Sequence, residues 1–419
     1  MSVYRLLQRV ASRLRPEPEV LDVVEVVRAQ LQEAVVLFEL DAEVVLGGSV
    51  AKGTFLRDAH DVDVFVRFSL SYASEDLSEL LAPVMKRFGA QRVHGSRDYF
   101  SFEKNSLVFE VVPVLAVTSA SQARNVTDVS PLHVRFVQES GVSVDEIRLL
   151  KQFCKAIGVY GAESYLRGFS GHVIDLLVIY YGSFLEVVSA ACSWSAPVVI
   201  DVQQHHQDPL VVLNESKLGP LVVVDPIQPF RNAAAALGEE VFTRFVHSCQ
   251  EFFSSPSEEF FVVQSFNQEA LFARVQEASA SLLIEVNVDA SKRDVAGSRV
   301  RKFFERVRDE LVSAGFSFRE ADWFFAHQSS SFVWFILEKG VLSPRVLRQG
   351  PPVVDDQHCA RFRKQHAEVF EKDGLLWAYV DRDVSSLSAF RLQLEVLASQ
   401  SAVALVAVLL QEEGLLRDS

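Results

Sequence analysis

Two acidic residues separated by a single position, Asp61 and Asp63, begin a run in which polar and apolar residues alternate up to Phe68. Such a run predicts a half-buried strand, and because side chains alternate across a strand, both carboxylates lie on one face. Neighbouring carboxylates repel each other unless a cation lies between them, and their oxygens suit Mg²⁺, which takes further ligands from phosphates. The pair is therefore a candidate magnesium site.

A turn of small residues, Gly47, Gly48 and Ser49, precedes this strand, and a short helix is predicted to follow the turn. Backbone N–H groups at the start of a helix, together with a serine hydroxyl, can hold a triphosphate. The turn and the acid pair together predict a site where a nucleoside triphosphate meets a metal ion.

A third acid, Glu110, lies in the otherwise apolar run 107–112, which predicts another strand. If this strand lies beside the first, Asp61, Asp63 and Glu110 would bind two Mg²⁺ ions. One ion would lower the pKa of an attacking hydroxyl, and the other would hold the triphosphate and the leaving pyrophosphate. The predicted chemistry is in-line nucleotidyl transfer. A lone Asp-x-Asp pair is more often a solvated strand face, but the turn and Glu110 together favour the metal site.

Secondary-structure patterns divide the chain into three predicted regions. Region 1–140 combines an amphipathic first helix over 1–15, strands over 44–46, 61–68 and 107–112, and a helix over 77–88, which indicates a small α/β domain with a mixed sheet. Region 141–256 is predicted to be helical from Val144, with a further helix starting at Asn232.

Region 257–419 is predicted to be α+β. Its predicted strands and its basic helix cover residues 260–264, 281–286, 331–337 and 299–313. On that helix one stripe is apolar, and another carries Arg299, Lys302 and Arg306. The basic stripe could bind RNA phosphates, although a solvated charged face is equally compatible with the pattern.

Composition limits the class of protein. The 419 residues, 49% hydrophobic, are enough for several domains. Apolar runs fall short of the roughly 20 residues that a membrane span needs, so we expect no membrane. The scattered Cys154, Cys192, Cys249 and Cys359 form neither a zinc motif nor a disulfide framework, which favours a reducing cytoplasm. A net charge of -14 argues against a wholly nucleic-acid-binding surface, but basic residues concentrate in 292–308.

The block from Gly48 to Arg57, running into Asp61–Phe65, resembles the nucleotidyltransferase signature of the polymerase-β superfamily. Further blocks are similar to those of archaeal-type (class I) CCA-adding enzymes. They are Ser130–Val134, Glu146–Lys151, Ile157–Glu163, Arg167–Gly171, Asp225-Pro226 leading into Arg231–Ala235, and Gly350–Pro352 with Phe362, Lys364 and His366. The similarity covers nearly the full length.

The resemblance implies an α+β multidomain protein with a polymerase-β-like nucleotidyltransferase head containing a mixed sheet, a helical central domain that binds nucleotide and primer, and an α+β C-terminal region that binds tRNA. It implies template-independent addition and repair of the tRNA 3′-terminal CCA from CTP and ATP, with pyrophosphate released, and a homodimer. Alternatives are a poly(A) polymerase or another nucleotidyltransferase of the superfamily. A catalytically silent RNA-binding scaffold is the alternative from another class.

The resemblance also implies roles for single residues. Contact with the nucleotide is implied at Gly48, Ser49, Lys52, His133, Lys151 and Tyr160, and choice of the base at Arg231. Arg148, Lys151 and Lys155 share a helix face, which could meet triphosphate charge.

Two positions depart from the family pattern. In the segment 94–99, which in the family helps to seat the RNA end, Tyr99 survives. Glu110 stands where an aspartate is expected, and its side chain is one methylene longer. These departures bear on how the RNA is held more than on the chemistry.

Overall fold

The computed structural model describes residues 2–290 and 292–412, which divide into two units, Met1–Gln264 and Ser265–Ser419. Met1 and residues 413–419, which the predicted first and third regions include, lie outside the described residues. The two units meet along the chain after Gln264, which is neither of the predicted boundaries. The division into three regions at 140 and 256 therefore stays a prediction.

The first unit contains the following elements. Its helices are α1 (Val3–Leu14), α2 (Pro18–Leu37), α3 (Gly48–Ala51), α4 (Leu77–Lys86), α5 (Ser130–Glu139), α6 (Val144–Ala156), α7 (Gly171–Tyr181), α8 (Phe184–Ala191), α9 (Pro209–Val212) and α10 (Glu239–Ser254). Its strands are β1 (Ala42–Leu46), β2 (Asp61–Phe68), β3 (Gln91–Val93), β4 (Tyr99–Lys104), β5 (Leu107–Leu115), β6 (Val198–Asp201) and β7 (Leu221–Val224).

The second unit contains a further set. Its helices are α11 (Gln268–Glu277), α12 (Arg293–Ala314), α13 (Asp356–Gln365), α14 (Leu387–Phe390) and α15 (Leu394–Ser401). Its strands are β8 (Ser281–Asn287), β9 (Phe318–Phe324), β10 (Ser331–Leu337), β11 (Arg345–Pro352), β12 (Val369–Lys372), β13 (Leu375–Asp381) and β14 (Ala404–Gln411).

The first five strands form one mixed sheet in the order β1-β2-β5-β4-β3, in which only the β2–β5 pair is parallel. On β2 the side chains of Val62, Val64 and Val66 are fully buried and pack with apolar residues of α2 and α4. The intervening Asp61 and Asp63 point to the other face, as strand alternation requires. One face of the sheet is thus core, which leaves the other free for a site. The mixed sheet predicted from the sequence is confirmed.

The rest of the first unit is mainly helical and packs around Phe153 of α6. The ring of Phe153 meets those of Phe184, Phe252 and Phe261 edge to face, with centroids 5.6, 5.8 and 6.1 Å away. Such aromatic pairs hold helices in a fixed arrangement, here α6, α8 and α10. Within the described part of the chain, no single helix is long and apolar enough to cross a membrane; α7 and α8 would pass that test only as a pair, bent by 92°.

In the second unit, an antiparallel sheet ordered β14-β8-β10-β9 packs one face on α12 and α15 and the other on α11. The apolar stripe predicted for α12 is buried as core: Val300, Phe303, Phe304, Val307 and Leu311. A separate three-stranded sheet is ordered β11-β13-β12. The predicted α+β character of the C-terminal region is confirmed.

Two predicted elements are wrong. Residues 260–264 form no strand, because the chain makes a 3₁₀ turn at Glu258–Phe261 that directs Phe261 into the core around Phe153. No helix starts at Asn232, since its side-chain oxygen accepts from the Val223 and Ala234 amides and ties the segment to β7 as a turn. A side chain that competes for backbone hydrogen bonds favours such turns over a helix.

Candidate active site

The acids meet across β2 and β5, which are parallel neighbours with Asp63 opposite Glu110 in register. Asp61 lies on the same strand face as Asp63 and opposite Val108. The predicted condition for a shared site, that the Glu110 strand lies beside the Asp61 strand, is met.

Gly48 approaches Asp63 more closely than any other residue type could. Its φ is +49°, and a Cβ added to it would lie 1.7 Å from Asp63 Oδ2. The Gly47 N–H donates to the Asp63 carbonyl over 2.8 Å, which anchors the turn to the strand. Helix α3 begins at this point, so its first amides lie next to the Asp63 carboxylate. The turn and the acid form one unit.

The charge of the acids is not fully compensated by the protein. Burial raises the pKa of Asp63, and Asp61 adds to this rise, although Lys52 and Lys151 oppose it. Burial, followed by repulsion from Asp63 and Asp61, also raises the pKa of Glu110, while a hydrogen bond from Tyr99 lowers it. Carboxylates that repel one another in a partly desolvated place have the chemistry of a divalent-cation site. Tyr99 thus lies at the acids.

Ser49, Lys52, Asp61, Asp63, Lys151 and Tyr160 line one cleft of about 300 Å³. The structure therefore brings together most of the nucleotide-contacting residues implied by the resemblance, beside two of the acids. Lys155 also lines the cleft, with its ammonium 5.3 Å from the centroid of the Tyr160 ring.

Lysines line the same cleft as two of the acids. Lys52 Nζ lies 2.7 Å from Asp175 Oδ2; the Lys52 side chain is 10% exposed and that of Asp175 is 2% exposed. Burial lowers the pKa of Lys151 to about 8, with Asp175 acting in the opposite direction. The Lys151 ammonium donates to the Thr54 carbonyl over 3.4 Å. Two partly desolvated ammonium groups beside a metal-type site suit a triphosphate.

Asp175 was missed by the reading of the sequence. It is an acid in the apolar run of α7, which is the same signal that drew attention to Glu110 in β5. Arg148 was given a triphosphate-facing position that the structure does not support. Its guanidinium donates to the carbonyls of Phe55 and Gly53 and to Asp145, so it holds the segment after the turn in place.

His133 and Arg231 do not line the cleft but meet at a buried acid, Asp225. His133 Nε2 lies 2.8 Å from Asp225 Oδ1, and Arg231 Nη1 lies 2.7 Å from Asp225 Oδ2. His172, which does line the cleft, packs its ring 4.3 Å from that of His133. This cluster, His133, His172, Asp225 and Arg231, therefore adjoins the cleft through His172.

Among residues 2–290 and 292–412, one group of three metal-ligating side chains has its ligand atoms within 4.8 Å of one another: His133, His172 and Asp225. Asp225 already accepts from the guanidinium of Arg231, so a cation there would have to displace a positive charge. Among the described residues no arginine or lysine forms an ion pair with the acids of β2 and β5, although Lys52 and Lys151 lie near enough to lower the pKa of Asp63. The oxygen ligands of these acids are those that Mg²⁺ prefers.

The basic stripe of α12 belongs to the second unit. Arg299 Nη1 donates to the Asp289 carbonyl over 2.8 Å, and Arg306 Nη1 donates to Ser401 Oγ over 3.3 Å. Lys302 is exposed. The two arginines are thus partly engaged within the unit, and each retains further donors.

Comparison with known families assigns the first unit to two models. The nucleotidyltransferase domain model matches residues 27–143, and the model for the tRNA nucleotidyltransferase second domain matches 145–262. The first covers the sheet with the acids, Lys52 and His133. The second covers Lys151, Tyr160 and the other members of the Asp225 cluster.

Relatives extend the match along the chain. A CCA-adding enzyme of Methanothermobacter thermautotrophicus is 33% identical over 79% of this chain and 74% of its own length. One from Sulfolobus acidocaldarius is 31% identical over 91% of this chain and 88% of its own length. In structure, the RNA terminal uridylyl transferase Cid1 superposes with a TM-score of 0.51 at 12% identity, covering 63% of this chain and 99% of Cid1, which is a likeness of fold.

Proposed function

The chain belongs to the archaeal CCA-adding enzymes, and we propose that Asp61, Asp63 and Glu110 carry its chemistry. Members of this family are tRNA nucleotidyltransferases, and the protein adds the 3′-terminal CCA of tRNA by template-independent nucleotidyl transfer. The observation that supports the assignment of the acids is the register pairing of Asp63 with Glu110 beneath Gly48.

The enzymes of this superfamily use divalent metals, and we propose that the metal here is Mg²⁺, as two ions held by Asp61, Asp63 and Glu110. The raised pKa values of Asp63 and Glu110 support this, since a bound cation would relieve their repulsion. When bound, the ions would lower the pKa of the RNA 3′-hydroxyl and offset the charge of the triphosphate.

The triphosphate would lie along the cleft, with its charge met by Ser49, Lys52 and Lys151. Burial raises the pKa of Tyr160, so its hydroxyl stays a donor at neutral pH and can bind the nucleotide. These groups would hold the α-phosphorus in line between the 3′-hydroxyl and the departing pyrophosphate, and such positioning supplies much of the rate in phosphoryl-type transfers.

Selection of C and A over U and G would fall to Arg231, with His133 contacting the nucleotide beside it. Cytosine and adenine both present an unprotonated ring nitrogen on the edge used for base pairing, whereas uracil and guanine present an N–H there. A guanidinium has donors only, so a donor directed at this ring position can bind C or A, whereas it meets the N–H of U or G donor to donor.

The test is to supply the purified protein with Mg²⁺, tRNA lacking its CCA end, and CTP, ATP, GTP or UTP singly and together. Addition of two C and one A is the expected result. Long A tails would indicate a poly(A) polymerase, and transfer without base preference would indicate another nucleotidyltransferase of the superfamily. No incorporation by folded protein would favour a small-molecule enzyme or a silent scaffold and would contradict the proposal.

The pKa of Lys151 predicts a pH dependence. Because the pKa is lowered to about 8, the ammonium is charged below that pH and loses its charge as the pH rises through it. We expect kcat/KM for CTP, which reports the free enzyme, to fall above about pH 8. Lys151→Arg keeps a positive charge throughout and should remove the fall. A wild-type profile that stays flat up to the usual lysine pKa would contradict the role of Lys151.

We also propose that Tyr99 helps to seat the RNA end and that Arg299, Lys302 and Arg306 bind phosphates of the acceptor stem. The role of Tyr99 is supported by its position beside Glu110. The role of the basic stripe is supported by the exposure of Lys302. Replacing the three basic residues by alanine is expected to raise KM for tRNA about tenfold and to lower its salt dependence, while KM for CTP in the presence of saturating tRNA stays unchanged. Replacing Arg308, on the same helix, is the matched control. An unchanged KM for tRNA would leave the stripe a solvated face.

We also propose that the protein is a homodimer, because the family resemblance implies one, and that it acts in the cytoplasm, which the scattered cysteines favour. Light scattering of the purified protein at several concentrations would measure the mass, and a mass near 47 kDa at all of them would contradict the dimer.

A further inference from the structure

Asp225 is a carboxylate with no exposed surface that directly follows the buried strand β7. Its Oδ1 accepts from His133 Nε2 at 2.8 Å and from the amides of Ile227 and Gln228 at 2.9 and 3.0 Å. Its Oδ2 accepts from Arg231 Nη1 at 2.7 Å. Burial by itself would raise the pKa of Asp225, but the hydrogen bond from His133 and the nearby imidazole of His172, whose Nε2 lies 3.7 Å from Asp225 Oδ2, outweigh it and hold the pKa far below the usual range.

The Arg231 side chain is 47% exposed, although one of its terminal nitrogens is fixed on Asp225. A guanidinium held at one nitrogen keeps its other donors in a planar fork of fixed direction. The backbone around it is also fixed, since the Arg231 amide donates to the Gln228 carbonyl at 2.9 Å and the Asp225 amide donates to the Arg231 carbonyl at 3.0 Å. Arg231 therefore presents a preset donor pattern to whatever meets its exposed side.

We infer that Asp225 is a positioning residue for base selection: it fixes the Arg231 guanidinium and the His133 imidazole relative to each other and, through His172, to the cleft. This inference rests on the proposed function, in which Arg231 reads the base and His133 contacts the nucleotide. A guanidinium free to turn could satisfy the edge of U or G as well as that of C or A. When it is fixed, the ring N–H of the wrong base faces a guanidinium donor that cannot turn away, so a hydrogen bond made with the right base is lost.

Asp225→Asn separates this role from that of a loop anchor. The asparagine oxygen can still accept from the Ile227 and Gln228 amides, whereas its NH₂ group replaces the oxygen that accepts from Arg231. We expect the ratio of kcat/KM for CTP to that for UTP, on tRNA lacking CCA, to fall by about tenfold or more, with a smaller change in kcat for CTP.

The matched control is Asp201→Asn. Asp201 ends β6, pairs with Val224 of β7, and accepts from the His206 amide at 3.0 Å, but it forms no hydrogen bond or ion pair with Arg231 or His133. It supports the same part of the fold, so it should leave the CTP-to-UTP ratio unchanged. A fall equal to that of Asp225→Asn would show that any loosening of the loop has the effect, and would overturn the inference.

A double-mutant cycle with Arg231→Ala supplies the decisive comparison. If Asp225 acts through Arg231, then Asp225→Asn changes the ratio by less than about twofold once Arg231 is gone. The inference would be overturned if the effects of Asp225→Asn and Arg231→Ala on the CTP-to-UTP ratio multiply in the double mutant. It would also be overturned if Asp225→Asn alone leaves the ratio within about twofold of wild type. Stoichiometric Zn²⁺ binding that alters the ratio and is lost in Asp225→Asn would replace it with a metal site.

Calorimetric titration of CTP and UTP into each protein with Mg²⁺ measures the same preference without catalysis. A wild-type protein that adds no nucleotide would refute the proposed function alone. In that case, a CTP preference that is lost in Asp225→Asn but kept in Asp201→Asn still supports the role of Asp225. Equal preference in all three proteins overturns it.

Discussion

Asp63→Asn is expected to lower the rate of nucleotide addition by about a thousandfold, because a lost metal ligand removes several kcal/mol of transition-state stabilisation. The same substitution is expected to raise the melting temperature in chelator at neutral pH. Burial, with repulsion from Asp61, raises the pKa of the Asp63 carboxyl, so its ionised form is less favourable in the folded state than in the unfolded one. Ionisation therefore costs stability as the pH rises above the ordinary aspartate pKa, and asparagine avoids that cost.

Addition of Mg²⁺ should reverse the order of stability. The wild-type protein binds the cation and gains melting temperature with its concentration, whereas the variant gains little. Glu103→Gln, which removes an exposed acid from β4 of the same sheet, controls for the loss of one negative charge and should change neither rate nor melting temperature. A variant that keeps a tenth of the wild-type rate, or that melts lower in chelator, would remove Asp63 from the proposed metal site.

The strands that carry the acids were predictable because their patterns are local. The run Asp61–Phe68 alternates in type, and the strand has the predicted bounds. The neighbour of this strand in the sheet could not be predicted, because no pattern in the residues near Glu110 indicates which strand lies beside theirs. The predicted metal site therefore depended on the two strands being neighbours. Register pairing of Asp63 with Glu110 is a property of the assembled sheet.

Other features depend on contacts between distant parts of the chain, which the sequence does not reveal. Arg148 and Lys151 lie on one helix face, yet Arg148 binds the carbonyls of Gly53 and Phe55 while Lys151 lines the cleft. The partner of Lys52, Asp175, comes from α7 and follows it by many residues. Asn232 was predicted to start a helix, but its side-chain oxygen accepts from the Val223 amide of β7.

Gly48→Ala is expected to reduce the rate of nucleotide addition by about a hundredfold, the scale on which a displacement of roughly 1 Å at a catalytic group acts. Position 48 has a φ of +49°, and the added Cβ would lie 1.7 Å from Asp63 Oδ2, so either the turn or the carboxylate must move. The strain of a left-handed residue adds a loss of about 1–2 kcal/mol in the free energy of unfolding.

Gly89→Ala separates these two effects, because Gly89 also has a left-handed φ, +64°, but a Cβ there would meet nothing within 4 Å. That control should lose the same stability and keep the wild-type rate. Urea unfolding and the rate of CTP incorporation measure the two quantities on the same preparations. Equal losses of rate in both variants would mean that backbone strain alone is responsible. A Gly48→Ala protein with the wild-type rate would show that the turn can retreat from Asp63 without disturbing the acids, and the close packing of turn and acid would then have no part in catalysis.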